Sequence, residues 1–102
     1  MEIKRMNRQH VSQVAALEQI CFSAPWSEKS IAGELDNPLS LWLVCEEEDT
    51  VLGYVGSQTV LGETDMMNVA VSPEARRKGI AQGLILTLED ELKLLGSHCL
   101  TL

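Results

Sequence analysis

Met66-Met67-Asn68-Val69-Ala70-Val71-Ser72-Pro73-Glu74-Ala75-Arg76-Arg77-Lys78-Gly79-Ile80-Ala81-Gln82-Gly83-Leu84-Ile85 carries the most organised pattern in the chain. It opens as an apolar strand and turns at Ser72-Pro73. It then passes through three contiguous cations and Gly79 and continues as an amphipathic helix. A helix start offers backbone N–H groups that lack an intrahelical acceptor, together with the positive end of the helix dipole. Three positive charges at that point mark a site for an anion, and a phosphate fits best.

Working outward, Thr64 to Val71 reads as a strand that feeds this loop. Ahead of it, Leu41-Trp42-Leu43-Val44-Cys45 and Val51 to Val60 are strand-like runs separated by the acidic turn Glu46-Glu47-Glu48-Asp49, and they predict a hairpin. Glu2 to Met6 alternates and predicts a first strand. Asn7 is a helix N-cap for a segment running to about Cys21 or Phe22, with Val11, Val14, Ala15, Glu18 and Cys21 on its inner pattern. Pro25 breaks the helix, and Ser27 caps a shorter one from Glu28 to Leu35. Phe22 and Trp26 bracket that break, where aromatics line a pocket or plug the core. Downstream, Ile80, Leu84, Leu88, Leu92 and Leu95 stripe the long helix from Gly79, Gly96 is its C-cap, and Ser97 to Leu102 begins another strand. The order β-α-α-β-β-β-α-β predicts one domain over residues 1–102, of the α/β or α+β class, with helices covering a mixed sheet.

The chain has 102 residues, 45% of them hydrophobic, and a net charge of −7. Such an acidic balance argues against nucleic acid as the main partner. Three of the eight basic residues are nevertheless contiguous at Arg76, Arg77 and Lys78. Positive charge gathered at one helix start suits a small anion, and the acidic remainder suits a cationic second partner such as an amine or a basic peptide. No apolar run is long enough to span a membrane, and Met1-Glu2-Ile3-Lys4-Arg5 lacks the apolar core of a signal peptide. A cytoplasmic protein is expected. Cys21, Cys45 and Cys99 are too widely spaced for a zinc pattern and read as free thiols, and no metal site is expected.

Among phosphate-binding patterns, a P-loop fails because Lys78 precedes Gly79. A Rossmann fingerprint fails because three strands come first and no acidic residue closes a second strand nearby. Arg76-Arg77-Lys78-Gly79-Ile80-Ala81 instead resembles the R/Q-x-x-G-x-G/A signature of the GNAT family of N-acetyltransferases. Phe22-x-x-Pro25-Trp26-Ser27-Glu28 and Asn68-Val69-Ala70-Val71-x-Pro73 extend the resemblance along the chain and point to the subgroup that acetylates protein N-termini.

The resemblance implies a GNAT-type mixed, mostly antiparallel sheet, with acetyl-CoA as co-substrate. Arg76, Arg77, Lys78, Gly79, Ile80, Ala81 and Gln82 would hold its pyrophosphate, and the backbone of Val69, Ala70 and Val71 its pantetheine arm. Phe22 and Trp26 would border the acceptor, implied to be the N-terminal alanine of a ribosomal protein. In that family a glutamate following the strand that begins here at His98 acts as base and a later tyrosine as acid. Both are expected beyond Leu102, so the chain corresponds to about the N-terminal two-thirds of such an enzyme, with impaired catalysis. His10, His98, Tyr54, Glu63 and Asp65 are set aside as bases: His10 reads as exposed and Tyr54 as packed. An apolar strand edge at Leu100-Leu102 predicts self-association. Two other readings stay open at this stage: a non-catalytic CoA-binding module completed by a partner chain, and an acetyltransferase for small amines or lysine.

Overall fold

The computed structural model describes residues 1–94 and the strand residues 99–101. Alternation and apolar runs build five strands, β1 Glu2–Arg5, β2 Ser40–Glu47, β3 Thr50–Val60, β4 Glu63–Val71 and β5 Cys99–Thr101. Three helices, α1 Val11–Cys21, α2 Glu28–Glu34 and α3 Ile80–Leu94, are interleaved with them. The strands form one sheet in chain order, antiparallel from β1 to β4 and parallel between β4 and β5. A parallel neighbour needs a crossover connection, and α3 supplies it. The expected order and the mixed, mostly antiparallel sheet are therefore both present.

The run Leu41 to Cys45 is continuously apolar because β2 is covered on both faces. On one face Trp42, Val44, Tyr54 and Ala70 pack with Val11, Val14 and Leu17 of α1 and Ile31 of α2. On the other, Leu41, Leu43, Cys45 and Val55 pack with Ile80, Leu84, Leu88 and Leu92 of α3. Each such side chain contributes about 1.5–3 kcal/mol when taken fully out of water. Leu95, Gly96 and His98 lie outside the described residues. So do Leu102 and the side chain of Leu100, on which the expected self-association rests.

Two corrections concern the first turn and the first hairpin. Asn7 caps a 3-10 turn, Arg8–His10, that leads into α1 at Val11. His10, expected on the surface, is 2% exposed. Its Nδ1 accepts the Asn7 N–H at 3.0 Å, which leaves the ring proton on Nε2 to donate to Glu46 at 2.9 Å. Glu46 belongs to β2 rather than to the acidic turn, and it also pairs with Lys4 on β1. The turn shrinks to Glu48-Asp49, both at positive φ, which matches the right-handed twist of the flanking strands.

Two glycines leave space that a Cβ would fill. Gly56 lies under Trp42: a Cβ there would come within 2.6 Å of the indole ring. Gly53 lies under the start of α3, where a Cβ would meet the Ala70 carbonyl at 2.9 Å and the Ile80 side chain at 3.2 Å.

Gly56→Ala should therefore cost about 1–3 kcal/mol by overpacking. Gly33→Ala, with nothing within 4 Å inside α2, should add up to about 1 kcal/mol by helix propensity. Urea midpoints of the two variants check this, and equal midpoints would refute it. The Lys4 hydrogen bond, then that of His10, hold the Glu46 carboxyl below its ordinary value. Stability from this group is thus present above the ordinary carboxylate range and is lost as the pH falls through the lowered folded value. Glu46→Gln should flatten the acid limb of a urea-midpoint series between about pH 6 and 3, and an unchanged limb would exclude the network as its source.

Candidate functional site

The site is built at the end of β4 that lies beyond its pairing with β5. The β3–β4 register slips between Gly56 and Ser57: Gly56 faces Asn68 and Ser57 faces Met66, so Met67 is an extra residue. A bulge of this kind bends its strand and re-aims the side chains beside it. Beyond the bulge, Asn68 to Val71 stay paired with β3, while β5 pairs with β4 at Glu63–Asp65.

A cleft of about 390 Å³ runs along this end of β4, lined by Cys21, Phe22, Val69, Ala70, Val71, Arg76 and Ala81. A smaller pocket of about 140 Å³ adjoins it, lined by Val71, Ala75, Arg76, Arg77, Gly79, Ile80, Ala81 and Gln82. The structure thus brings Val69 to Val71 together with Arg76, Arg77 and Gly79 to Gln82 around two hollows that share Val71, Arg76 and Ala81. Lys78 is exposed on the same loop and lines a third hollow on its β1 side. Phe22 stands on the cleft wall. Trp26 does not line it; half-buried, its ring packs against the core and meets Trp42 edge-on at 5.6 Å.

The three cations are not equivalent. Arg76 turns inward: its Nε donates to the Val71 carbonyl at 3.3 Å and its Nη2 to the Cys21 sulfur at 3.6 Å. Arg77 sits at φ 69°, a left-handed conformation that costs a side-chain-bearing residue about 1–2 kcal/mol. Gly79, at φ 73°, adopts the same region freely. Among the described residues, none of the three pairs with a carboxylate. The first bond within α3 runs from the Gly83 N–H to the Gly79 carbonyl, so the N–H groups of Ile80, Ala81 and Gln82 lie ahead of it. Unpaired cations over free helix-start donors form an electropositive pocket suited to a diphosphate. Among the described residues no His, Cys, Asp and Glu group could hold a metal ion, and no helix is long and apolar enough to cross a membrane.

Glu18 is the polar residue that the periodicity concealed. It occupies an inner position of α1 and is fully buried. Its Oε1 accepts from Asn68 Nδ2 at 2.7 Å and from the Trp26 N–H at 3.4 Å, while Oε2 has no partner among the described residues. Tyr54 Oη is buried beside it, with no hydrogen bond of ordinary length but close enough to Glu18 to interact with its carboxyl group. Burial first, then the neighbouring Glu18, raise the Tyr54 hydroxyl far above its ordinary value, so it stays protonated. A glutamate on an apolar stripe was the available signal. Asn68 and Trp26 were not identifiable as its partners from spacing.

Three comparisons bear on this geometry. The ribosomal protein bS18-alanine N-acetyltransferase of Salmonella typhimurium is 35% identical over 81 residues, 78% of this chain and 53% of the relative. The homologue from Haemophilus ducreyi is 28% identical over 102 residues, 68% of its length. The chain spans about half the length of most of the curated relatives it matches. The solved ribosomal-protein-S18-alanine N-acetyltransferase of Escherichia coli superposes with a TM-score of 0.86 at 27% identity, over 97% of this chain and 63% of that one. An aminoglycoside 6'-N-acetyltransferase complexed with coenzyme A shares the fold, with a TM-score of 0.82 at 19% identity. The model of the acetyltransferase (GNAT) family matches residues 11–102, and the chain belongs to that family.

Proposed function

We propose that this chain binds acetyl-CoA at the β4–α3 junction and serves acetyl transfer to the α-amine of a protein N-terminus. The observation that carries the reading is the pair of neighbouring hollows, one at the start of α3 lined by Arg76 and Arg77 and one running along β4. Arg77 and the N–H groups from Gly79 to Gln82, at the smaller hollow, would hold the pyrophosphate, with Lys78 adding its charge from the next hollow on the same loop. Backbone groups of Val69, Ala70 and Val71 would hold the pantetheine arm and orient the thioester. Arg76 contributes differently, by tying Val71 to the end of α1 and so keeping the cleft wall in place. Acetyl-CoA supplies an acetyl group already activated as a thioester. The chain's own work is to bind it, to fix its carbonyl and to shield it between α1 and β4, where backbone donors stabilise developing negative charge.

The acceptor is proposed from the names of the curated relatives, which act on the alanine of ribosomal protein bS18. An N-terminal alanine of a ribosomal protein is a small, cationic terminus that suits an acidic chain, and it sets the place of action in the cytoplasm. The base and acid are proposed to follow β5, beyond Leu102; Tyr54, buried and held protonated, does not take the proton from the amine.

Calorimetric titration of CoA tests the donor half. Replacing Arg77 and Lys78 together with alanine should weaken binding by about 100-fold or more, the loss of two charge-assisted contacts. Unchanged affinity would defeat the phosphate assignment, and mass-spectrometric acetylation of an alanine-starting peptide tests the acceptor. Arg77→Gly should separate stability from binding. Relief of the left-handed strain should add up to about 1 kcal/mol to unfolding, while CoA affinity falls. Arg76→Gly, at φ −66° and with its brace lost, should only destabilise. A matching loss of stability in both variants would count against strain at Arg77.

A further inference from the structure

The donor side of the cleft is accounted for by the loop and β4, and the buried Glu18 is not. A carboxyl group taken fully out of water is costly unless its oxygens are well satisfied. Here one oxygen receives Asn68 and Trp26, and the other receives nothing among the described residues. The contacts span the cleft. Glu18 lies one turn before Cys21 and Phe22, which line one wall, and Asn68 immediately precedes Val69, which lines the other. Trp26 follows Phe22 in the α1–α2 loop. One side chain therefore ties together the helix, the loop and the strand that enclose the site.

The tie also orients Asn68. Its Nδ2 is directed at Glu18, so the other branch of the planar amide, Oδ1, is turned away from the carboxyl group. Asn68 adjoins the bulged Met67 and shares a strand face with Ala70, a cleft-lining residue two positions on. Glu18 is fully buried and Asn68 only partly so. The outward end of this pair is therefore an amide oxygen one position before Val69, the first β4 residue that lines the cleft.

We propose that Glu18 and Asn68 orient the acceptor amine: Glu18 is a positioning residue that turns the Asn68 amide so that Oδ1 accepts an N–H of the incoming primary amine. The inference rests on the acetyl-transfer reading above and deepens it by naming what holds the acceptor nitrogen. An amine or ammonium offers several N–H donors, so engagement of Oδ1 leaves others free for proton removal. Three elements hold Asn68: the β-ladder, the bulge and the Glu18 contact. Of these, Glu18 governs which end of the amide faces outward.

The test uses the 102-residue chain saturated with CoA. Its probes are an alanine-starting peptide and a counterpart in which propionyl replaces the first alanine, removing the amine. The unaltered chain should bind the amine peptide about tenfold tighter, one hydrogen bond to the amine. Glu18→Leu and Asn68→Ala should each abolish that preference, and the double variant should lose no more than either single one, because the two act as one unit. Glu18→Gln keeps an acceptor oxygen for Nδ2 and should retain the preference to within about threefold. A packing role alone would not yield rescue by glutamine together with this non-additivity. A preference that survives Glu18→Leu, or single losses that add in the double variant, would overturn the proposal. Should Glu18→Leu not fold, the side-chain amide resonances of Asn68 in the unaltered chain decide. They should shift with the amine peptide and stay in place with its counterpart; no difference overturns the proposal. Failure of the unaltered chain to bind CoA strikes instead at the donor-site reading. An amine preference indifferent to Glu18, with CoA bound, strikes only at this inference.

Discussion

The close approach of α3 to β3 at Gly53 is the contact on which the rest depends. A Cβ at that position would run into the Ala70 carbonyl and the Ile80 side chain. Because Gly53 has none, the first turn of α3 settles against the sheet beside the end of β4. The loop between them, Ser72 to Gly79, is then short and tightly turned, with a 3-10 turn at Pro73–Ala75 and left-handed residues at Arg77 and Gly79. Backbone donors, cations and the β4 edge converge because two packed elements leave the loop little choice. The strain at Arg77 follows from the same closure. It is retained beside the proposed pyrophosphate site, in keeping with the clustering of strained residues at binding sites.

On the opposite face the corresponding device is Gly56. Its open space lets Trp42 lie across β3, stack on Tyr54 at 5.9 Å and meet Trp26 edge-on. This aromatic layer fills the volume between the sheet and α1–α2 and fixes the distance at which α1 rides over β4. At that distance Glu18 reaches Asn68, and Cys21 with Phe22 faces Val69 to Val71 across the cleft. The width of the cleft is thus a packing property of residues that never touch it.

How much of this was readable follows from the range of each interaction. The α3 stripe Ile80, Leu84, Leu88 and Leu92, the two hairpins and the basic loop are patterns within one element or between neighbours, and they stand in the sequence as periodicity and spacing. The proposed anion pocket is drawn from the same kind of pattern: its donors and cations come from consecutive residues. His10 and Glu18 were not. Each is a polar residue whose burial is decided by a partner far along the chain, Glu46 at a separation of 36 positions and Asn68 at 50. Local pattern gives His10 a solvent face and gives Glu18 a place on an apolar stripe with no reason for it. Trp26 falls between these cases. Proximity to the break after α1 allowed pocket or core, and its ring contact with Trp42 comes from a residue 16 positions on that spacing does not reveal.

The same difference in range separates the two halves of the proposed site. A diphosphate presents many equivalent oxygens, so a contiguous loop of N–H groups and cations can hold it, and its specificity is that of charge and size. An amine about to attack a carbonyl must be held in direction as well as place, because a misplacement of an ångström is enough to slow such a reaction by orders of magnitude. Direction requires a rigid acceptor, and an amide on a strand is rigid only if something fixes which of its ends points outward. Hydrogen bonds along one strand cannot do that, since they use the backbone and leave the side chain free. A buried group on a different element can. Glu18 on α1 and Asn68 on β4 meet that requirement, and the cost of burying a carboxyl group in the core is what such orientation would demand.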